Sequence, residues 1–436
     1  MLDLISSGLV GFWLGVAGIH PEASAAWELL ALQTTPALVL NSAPDGIAMT
    51  TLQQYLQGLQ TKGIGSTNQG IWLQSGPLLL SENNGRVPLP AASLTKIATS
   101  LAALKVWKPN HRFQTLISAT EPINEGVLEG DLIVTGGGDP LFVWEEAIAL
   151  GNSLNQLGIS RVTGNLVVTG NFAMNYQSDP LKAGELFKQA LDASTWKAAA
   201  KMQYSTLPPD TPKPRVAIAG TVRVAAIANP KQILLLRHYS LSLAEILKEM
   251  NVYSNNEMAQ MLGQMLGGAP SVRQLAATTA GVPDSEILLA NTSGLGMENQ
   301  ISPRAACAMF MAVQRELLPH QMSIADLFPV SGRDRRGTLE LRHVPAGAVV
   351  KTGTLNEVSA LAGVLPTRDR GLVWFVIINR GWQIEGLRAG QDKFLQNLLH
   401  KWHASPAIPN AIAPQGIGVT PTPLGAASRN EILYKG

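Results

Sequence analysis

The chain has 436 residues, 46% hydrophobic and 15% charged, so it has enough apolar material for a folded core and too little charge for a disordered protein. Its 33 basic and 31 acidic residues nearly balance, which gives no electrostatic support for a nucleic-acid surface. One cysteine excludes an internal disulfide, and the seven histidines show no metal-binding spacing, so we expect no metal and no cofactor.

The first 25 residues are typical of an export signal. No charged residue occurs from Leu4 to Ile19, and the small residues Ala23 and Ala25 follow at the spacing of a cleavage site. The preceding residues contain no Lys or Arg, so the alternatives are a buried N-terminal helix or a start codon misplaced inside a longer leader. We expect an exported protein, periplasmic or otherwise extracytoplasmic, and no stable membrane span in the mature chain, because no later apolar run is long enough.

The next part of the chain, 26–116, is interpreted as the first part of a catalytic domain. Apolar residues recur at helical spacing from Ser93 to Trp107 and predict a buried helix whose first turn carries Ser93. Residues 117–229 contain short Val, Ile and Leu runs separated by glycine-rich turns. This pattern predicts an inserted, mainly β lobe.

Residues 230–403 are interpreted as the second part of the catalytic domain. Helical periodicity returns at 241–250 and 257–266, and strand character returns at 346–353. The last segment, 404–436, is rich in proline and has no amphipathic period, so we expect a disordered tail.

Three short motifs follow one another along the chain in the order S-x-x-K, S-x-N and K-T-G. They are Ser93-Leu94-Thr95-Lys96, Ser254-Asn255-Asn256 and Lys351-Thr352-Gly353. The first pattern also occurs at Ser194–Lys197, so order and context must identify the functional set.

The first motif predicts an activated serine. Residues three apart on a helix are neighbours, so Lys96 lies beside the Ser93 hydroxyl. The positive end of the helix dipole and burial both lower the pKa of a lysine at this place, and a neutral lysine can accept the hydroxyl proton. The Ser93 amide, with the Thr354 amide as a second donor, can hold a developing oxyanion.

The third motif predicts a carboxylate site. Lys351 ends an apolar strand, where a lysine is costly unless it meets an anion. Thr352 and Thr354 add hydroxyl donors, and Gly353 leaves room for a substrate backbone along the strand. The alternative is a surface turn.

The second motif falls between two helical patterns and predicts a loop that projects into a cleft. A capping loop is the alternative interpretation. Tyr253-Ser254-Asn255 also fits a Y-x-N pattern, so either Ser254 or Tyr253 can be the proton carrier.

With these motifs in this order, the chain resembles the low-molecular-mass class C penicillin-binding proteins, the D-Ala-D-Ala carboxypeptidase and endopeptidase family. Further similar segments are Pro90–Ser93, Leu128–Leu132, Gly136–Pro140, Ser293–Leu295 and Gly337–Leu339. The resemblance implies an α+β transpeptidase fold like that of serine β-lactamases, with an antiparallel sheet flanked by helices, an all-helical subdomain and an inserted lobe.

The resemblance also implies roles for the motif residues. Ser93 is the acylated nucleophile and Lys96 its base, while Ser254 shuttles a proton and Asn256 binds the substrate amide and the lysine. Lys351, Thr352 and Thr354 hold the terminal carboxylate, with Gly353 between them.

The expected partners are peptidoglycan stem peptides and β-lactams. The expected activity is a serine-type D-Ala-D-Ala carboxypeptidase, with DD-endopeptidase action as a possible addition. A β-lactamase and a non-catalytic peptidoglycan-binding protein are the alternatives.

Overall fold

The computed structural model describes Val39 and residues 44–226, 231–415 and 423–434. The export segment predicted at residues 1–25 lies outside this part. No helix within the described ranges is both long and apolar enough to cross a membrane.

A five-stranded antiparallel sheet forms the centre of the catalytic unit in the described chain. Its strands, in spatial order, are β15 (Val349–Leu355), β16 (Val358–Thr367), β17 (Gly371–Arg380), β1 (Gln69–Ser75) and β2 (Leu78–Asn83). Strands β16 and β17 are long and apolar because both of their faces are buried. Strand β15 lies at the edge, so one side of its backbone has no neighbouring strand of this sheet.

One face of the sheet is covered by the first and last helices described, α1 (Gly46–Gln60) and α10 (Ile384–Trp402). Asp45 caps the start of α1 by accepting a hydrogen bond from the Ala48 amide at 2.7 Å. Tyr55 of α1 stacks on Phe394 of α10 with ring centroids 4.9 Å apart. The two ends of the catalytic unit therefore pack together on this face of the sheet.

The opposite face carries an all-helical subdomain. Its helices are α2 (Thr95–Trp107), α6 (Leu243–Tyr253), α7 (Asn256–Met265), α8 (Gly268–Ala280) and α9 (Pro303–Leu317). Helix α2 is central, and every side chain from Thr95 to Leu104 is buried. The short strands β3 (Leu89–Pro90), β13 (Ile287–Leu288) and β14 (Gln300–Ile301) pair beside it. The predicted buried helix is thus the core of this layer.

The inserted lobe contains two sheets and three helices among its described residues. The larger sheet is β11 (Val222–Val224), β9 (Leu166–Asn171), β7 (Leu132–Gly137), β4 (Gln114–Ala119), β12 (Ile233–Tyr239) and β18 (Asn430–Ile432). The smaller sheet is β10 (Ala217–Ile218), β8 (Arg161–Val162), β6 (Val127–Leu128) and β5 (Ile123–Asn124). The helices are α3 (Trp144–Gln156), α4 (Pro180–Leu191) and α5 (Ala198–Tyr204).

The lobe expected to be mainly β at 117–229 also contains three helices, which lie between its strands. Strands β7 and β9 are parallel, and a parallel pair needs a crossover connection, which α3 provides. The larger sheet starts at Gln114 and continues through Tyr239, beyond both predicted boundaries. The local runs of Val and Ile predicted strands correctly but could not indicate the helices between them.

In the segment 404–436, where we expect a disordered tail, the described residues 423–434 contain a short strand. Strand β18 pairs antiparallel with β12, and the side chain of Arg429 is buried. This segment docks through backbone hydrogen bonds and one buried cation, so it shows no amphipathic period in the sequence.

Candidate active site

Ser93 lies in a 3-10 turn, Ala92–Leu94, that leads directly into α2. The preceding residue, Ala92, has φ 48°, a left-handed conformation that is costly for a residue with a side chain. Gly294 makes room for this turn, because a Cβ on it would collide with the Ala92 carbonyl oxygen. The local strain at Ala92 is therefore stabilised by close packing around the serine.

Lys96 follows one turn later and is fully buried. Its Nζ lies 3.2 Å from Ser93 Oγ, 2.8 Å from Asn256 Oδ1 and 2.7 Å from the Ser293 carbonyl oxygen. Burial lowers the pKa of Lys96 to about 7, while the charge of Glu257 acts in the opposite direction. A substantial fraction of the amine is therefore neutral near neutral pH and can accept a proton from Ser93.

The loop between α6 and α7 brings Ser254 and Asn256 to the same place. Ser254 has φ 54° and ends α6, and Asn255 caps α7 by accepting from the Met258 amide at 2.9 Å. Asn256 Oδ1 contacts Lys96, as described above. Both interpretations of this loop therefore hold. Asn255 caps a helix, while Ser254 contacts Lys351 and Asn256 contacts Lys96.

Tyr253 points elsewhere. Its hydroxyl lies 3.5 Å from Arg336 Nη1, and the side chain is half exposed. Ser254 Oγ instead accepts a hydrogen bond from Lys351 Nζ at 3.0 Å. Of the two proton carriers left open by the sequence, Ser254 is the one beside a buried lysine.

Lys351 is fully buried in the edge strand β15. Besides Ser254 Oγ, its Nζ donates to the Thr352 carbonyl oxygen at 2.7 Å. Burial, with a smaller contribution from the charge of Lys96, holds the pKa of Lys351 well below its ordinary value. Burial and the charge of Lys96 therefore both disfavour the charged form of Lys351.

Gly353 provides the close contact between β15 and the turn that carries Ser93. A Cβ at this position would lie 3.0 Å from the Ala91 carbonyl oxygen and 3.1 Å from the Ser93 amide nitrogen. The absence of a side chain is what allows the strand to approach Ser93 so closely.

The hydroxyls of Thr352 and Thr354 have partners that the motif analysis did not identify. Thr352 Oγ1 donates to Thr338 Oγ1 at 2.7 Å, and Arg388 of α10 donates to Thr354 Oγ1 at 2.8 Å. The segments containing Thr338 and Ser293 were noted only through the family resemblance. The sequence did not indicate a role for Arg388, since an Arg three residues after a Glu is typical of a solvated helix surface.

The loop that contains Ser293 is organised by Asn291. Its Oδ1 accepts from the amides of Ser293 and Gly294 at 3.1 and 2.8 Å. These hydrogen bonds fix the turn whose carbonyl oxygen contacts Lys96.

The competing S-x-x-K pattern at Ser194 does not form such a site. Ser194 lies in the 3-10 turn Ala193–Thr195, whereas α5 begins only after Lys197, so the two residues share no helical turn. The described residues also contain no group of His, Cys, Asp or Glu suited to a metal ion. Cys307 is buried, and burial raises the pKa of its thiol, which disfavours a nucleophilic thiolate.

The sequence profile of the D-Ala-D-Ala carboxypeptidase 3 (S13) family matches residues 52–201 and 212–400, well over half of the chain. The chain belongs to this family. It is therefore a serine peptidase of the D-Ala-D-Ala carboxypeptidase type, as its motifs predicted, and the resemblance to the penicillin-binding proteins is confirmed.

Individual relatives agree with the family. A carboxypeptidase of Mycobacterium tuberculosis is 25% identical over 410 residues, 83% of each chain. A penicillin G-acylated predatory endopeptidase of Bdellovibrio bacteriovorus, solved with an immunity protein, has a TM-score of 0.70 at 21% identity, covering 83% of this chain and 98% of its own. Penicillin-binding protein 4 of Haemophilus influenzae has a TM-score of 0.60 at 18% identity, covering 80% and 99%. These structures confirm the predicted α+β fold.

Proposed function

We propose that the protein is an exported D-Ala-D-Ala carboxypeptidase in which Ser93 is the nucleophile. Its substrates are peptidoglycan stem peptides, and β-lactams acylate the same serine. The observation that carries the proposal is the 3.2 Å contact between Ser93 Oγ and the buried Nζ of Lys96. The export segment predicted at residues 1–25 fits a substrate that lies outside the cytoplasmic membrane.

Acylation begins when Lys96 removes the Ser93 proton. The hydroxyl oxygen attacks the carbonyl carbon before the last D-alanine, an ester bond forms, and the bond to the D-alanine nitrogen breaks. The pKa of Lys96, about 7, suits a base that operates near neutral pH. Its contacts with Asn256 and the Ser293 carbonyl oxygen hold the amine in place during the transfer.

The negative charge on the carbonyl oxygen is stabilised by backbone amides. The Ser93 amide is at the start of a helix, and Gly353 brings β15 to within van der Waals distance of it. The Thr354 amide, one residue farther along that strand, supplies the second donor.

The leaving nitrogen needs a proton. Ser254 Oγ is hydrogen-bonded to Lys351 and projects from the loop that also holds Asn256, so Ser254 can deliver the proton to the departing amine. Lys351 restores the Ser254 proton, and the proton that Lys96 took from Ser93 replaces it on Lys351, so Lys96 is neutral again. A water molecule then attacks the ester, with Lys96 again as the base, and releases the shortened peptide.

Substrate binding uses the edge of β15 near Thr354, which is the exposed residue of this strand. A stem peptide adds along this strand, and its terminal carboxylate meets Lys351, Thr352 and Thr354. A cross-link between stem peptides is also an amide of D-alanine, so the same steps give DD-endopeptidase action. The endopeptidase among the structural neighbours supports a test of a cross-linked substrate.

The proposal is tested by D-alanine release from a stem pentapeptide that ends in D-Ala-D-Ala. We expect the full chain to release D-alanine and Ser93→Ala to lose at least about a thousand-fold in rate. Ser194→Ala, which changes the competing S-x-x-K serine, is the matched control and should keep full activity. Release by Ser93→Ala at the unaltered rate would contradict the proposal.

The fate of penicillin separates the alternatives. A carboxypeptidase forms a long-lived adduct, a β-lactamase turns the drug over rapidly, and a non-catalytic binding protein binds the peptide without releasing D-alanine. Lys96 and Ser93 form an activated pair that a binding protein does not need, which favours the enzyme.

A further inference from the structure

Arg388 lies on α10 and reaches across to the edge strand of the active site. Its Nη2 donates to Thr354 Oγ1 at 2.8 Å, and its Nη1 donates to Glu385 Oε1 at 2.7 Å. About a third of the Arg388 side chain is exposed, and Glu385 is almost fully exposed. An exposed ion pair of this kind is weak, so Glu385 does not hold Arg388 away from Thr354.

The two lysines of the site are poor sources of permanent positive charge. Both are fully buried, and burial lowers the pKa of each. Lys351 Nζ already donates to Ser254 Oγ and to the Thr352 carbonyl oxygen. An arginine remains protonated in proteins, so the charge of Arg388 does not depend on this balance.

The hydrogen bond from Arg388 also sets the role of the Thr354 hydroxyl. Because Thr354 Oγ1 accepts from the guanidinium, its own proton remains available for an acceptor in the cleft. A cation behind a hydroxyl strengthens the bond that this hydroxyl donates to an anion. Arg388 therefore polarises the Thr354 hydroxyl, which is exposed at the edge of β15.

We propose that Arg388 is a specificity-determining positioning residue that acts through Thr354 and favours substrates whose leaving residue has a free α-carboxylate. This inference rests on the proposed function of the Ser93 site. Arg388 orients and polarises the hydroxyl that binds the carboxylate. The attack on the carbonyl carbon, one residue away, proceeds through Ser93 and Lys96 and does not use Arg388.

The test compares a diacetyl-L-Lys-D-Ala-D-Ala peptide with the same peptide carrying a C-terminal amide. For Arg388→Ala, kcat/KM for the free acid is expected to fall about ten- to thirty-fold, mainly through KM, because a charge-assisted hydrogen bond is lost. The amide should change less than about three-fold, and Arg388→Lys should recover part of the loss. Arg273→Ala is the matched control, since Arg273 is a partly exposed arginine of α8 paired with Asp284.

A double-mutant cycle with Thr354→Val distinguishes the proposed route from a general structural effect. If Arg388 acts through the hydroxyl, Arg388→Ala in the Thr354→Val background should cost less than about three-fold more. Equal losses for acid and amide, or additive effects of the two changes, would overturn the inference. If a variant fails to fold, the acylation rates of Arg388→Lys by benzylpenicillin and by its methyl ester give the same comparison.

The failure of this inference differs from a failure of the proposed function. Wild-type protein that releases no D-alanine, or Ser93→Ala that still releases it, contradicts the function itself. Wild-type protein that is active, with an acid-to-amide ratio unchanged in Arg388→Ala, contradicts the inference alone.

Discussion

Lys96 is buried beside the Ser93 hydroxyl, in an environment that lowers its pKa. Its position one turn after Ser93 was predictable from spacing alone, and so was the direction of its pKa shift. The Ser293 carbonyl oxygen at 2.7 Å was not predictable, because that contact joins residues far apart in the chain. Local spacing thus predicted the contact between Ser93 and Lys96, and the tertiary fold supplied the groups that hold the lysine.

The pH dependence of acylation follows from the pKa of Lys96. Burial lowers this pKa to about 7, so the amine is mostly neutral above that pH and protonated below it. We expect the acylation rate constant for benzylpenicillin to fall about ten-fold per pH unit below about pH 7. Stopped-flow measurement from pH 5 to pH 9 checks this, and an unchanged rate constant between pH 8 and pH 5 would contradict it.

At the scale of elements, the site depends on how β15 meets the start of α2. The period of apolar residues predicted α2, α6 and α7, and an apolar run ending in lysine predicted β15. The loop position of Ser254 followed from the break between two helical patterns. The helices of the inserted lobe were missed, because short apolar runs between glycines do not indicate the crossovers that parallel strands need.

The contact at Gly353 predicts a large functional effect from a small substitution. In Gly353→Ala the new methyl group would press on backbone atoms of Ala91 and Ser93, so the turn that carries Ser93 must move. We expect the acylation rate to fall about ten- to hundred-fold and the free energy of unfolding to fall by about 1 kcal/mol. Penicillin labelling kinetics and urea unfolding measure the two effects.

Gly58→Ala is the control for this substitution. Gly58 lies within α1, and a Cβ there would meet no atom within 4 Å. The variant should gain about 0.5–1 kcal/mol in stability, because alanine is the better helix former, and should keep its activity. A Gly353→Ala protein as active as Gly58→Ala would show that the close approach of β15 does not matter.

At the scale of the whole molecule, the C-terminal segment 423–434 packs against the inserted lobe. Arg429 Nη2 contacts Glu146 Oε1 at 2.5 Å, and both side chains are buried. Asn430 pairs with His238 across the β18–β12 ladder. The sequence could not predict this arrangement, because one buried ion pair and three residues of strand leave no periodic pattern.

The buried pair predicts a stability role for the tail. Arg429→Ala leaves Glu146 without its cation and should lower the free energy of unfolding by about 3 kcal/mol. Burial already raises the pKa of Glu146 to about 7, and loss of Arg429 would raise it further. Protonated Glu146 is then favoured in the folded state. The loss in free energy of unfolding caused by Arg429→Ala should therefore be smaller at pH 5 than at pH 8.

Urea unfolding of Arg429→Ala at both pH values is the appropriate measurement. Glu431→Gln is the control, since Glu431 forms an exposed pair with Arg237 on the same strands and should cost less than about 1 kcal/mol. Equal losses for the two variants would show that the buried pair does not secure the segment.

The most direct test of the central claim is to locate the covalent adduct after benzylpenicillin treatment by peptide mass spectrometry. We predict one acyl group per chain, on the peptide that contains Ser93, and none on that peptide in Ser93→Ala. An adduct on another residue, or undiminished labelling of Ser93→Ala, would contradict the assignment of Ser93 as the nucleophile.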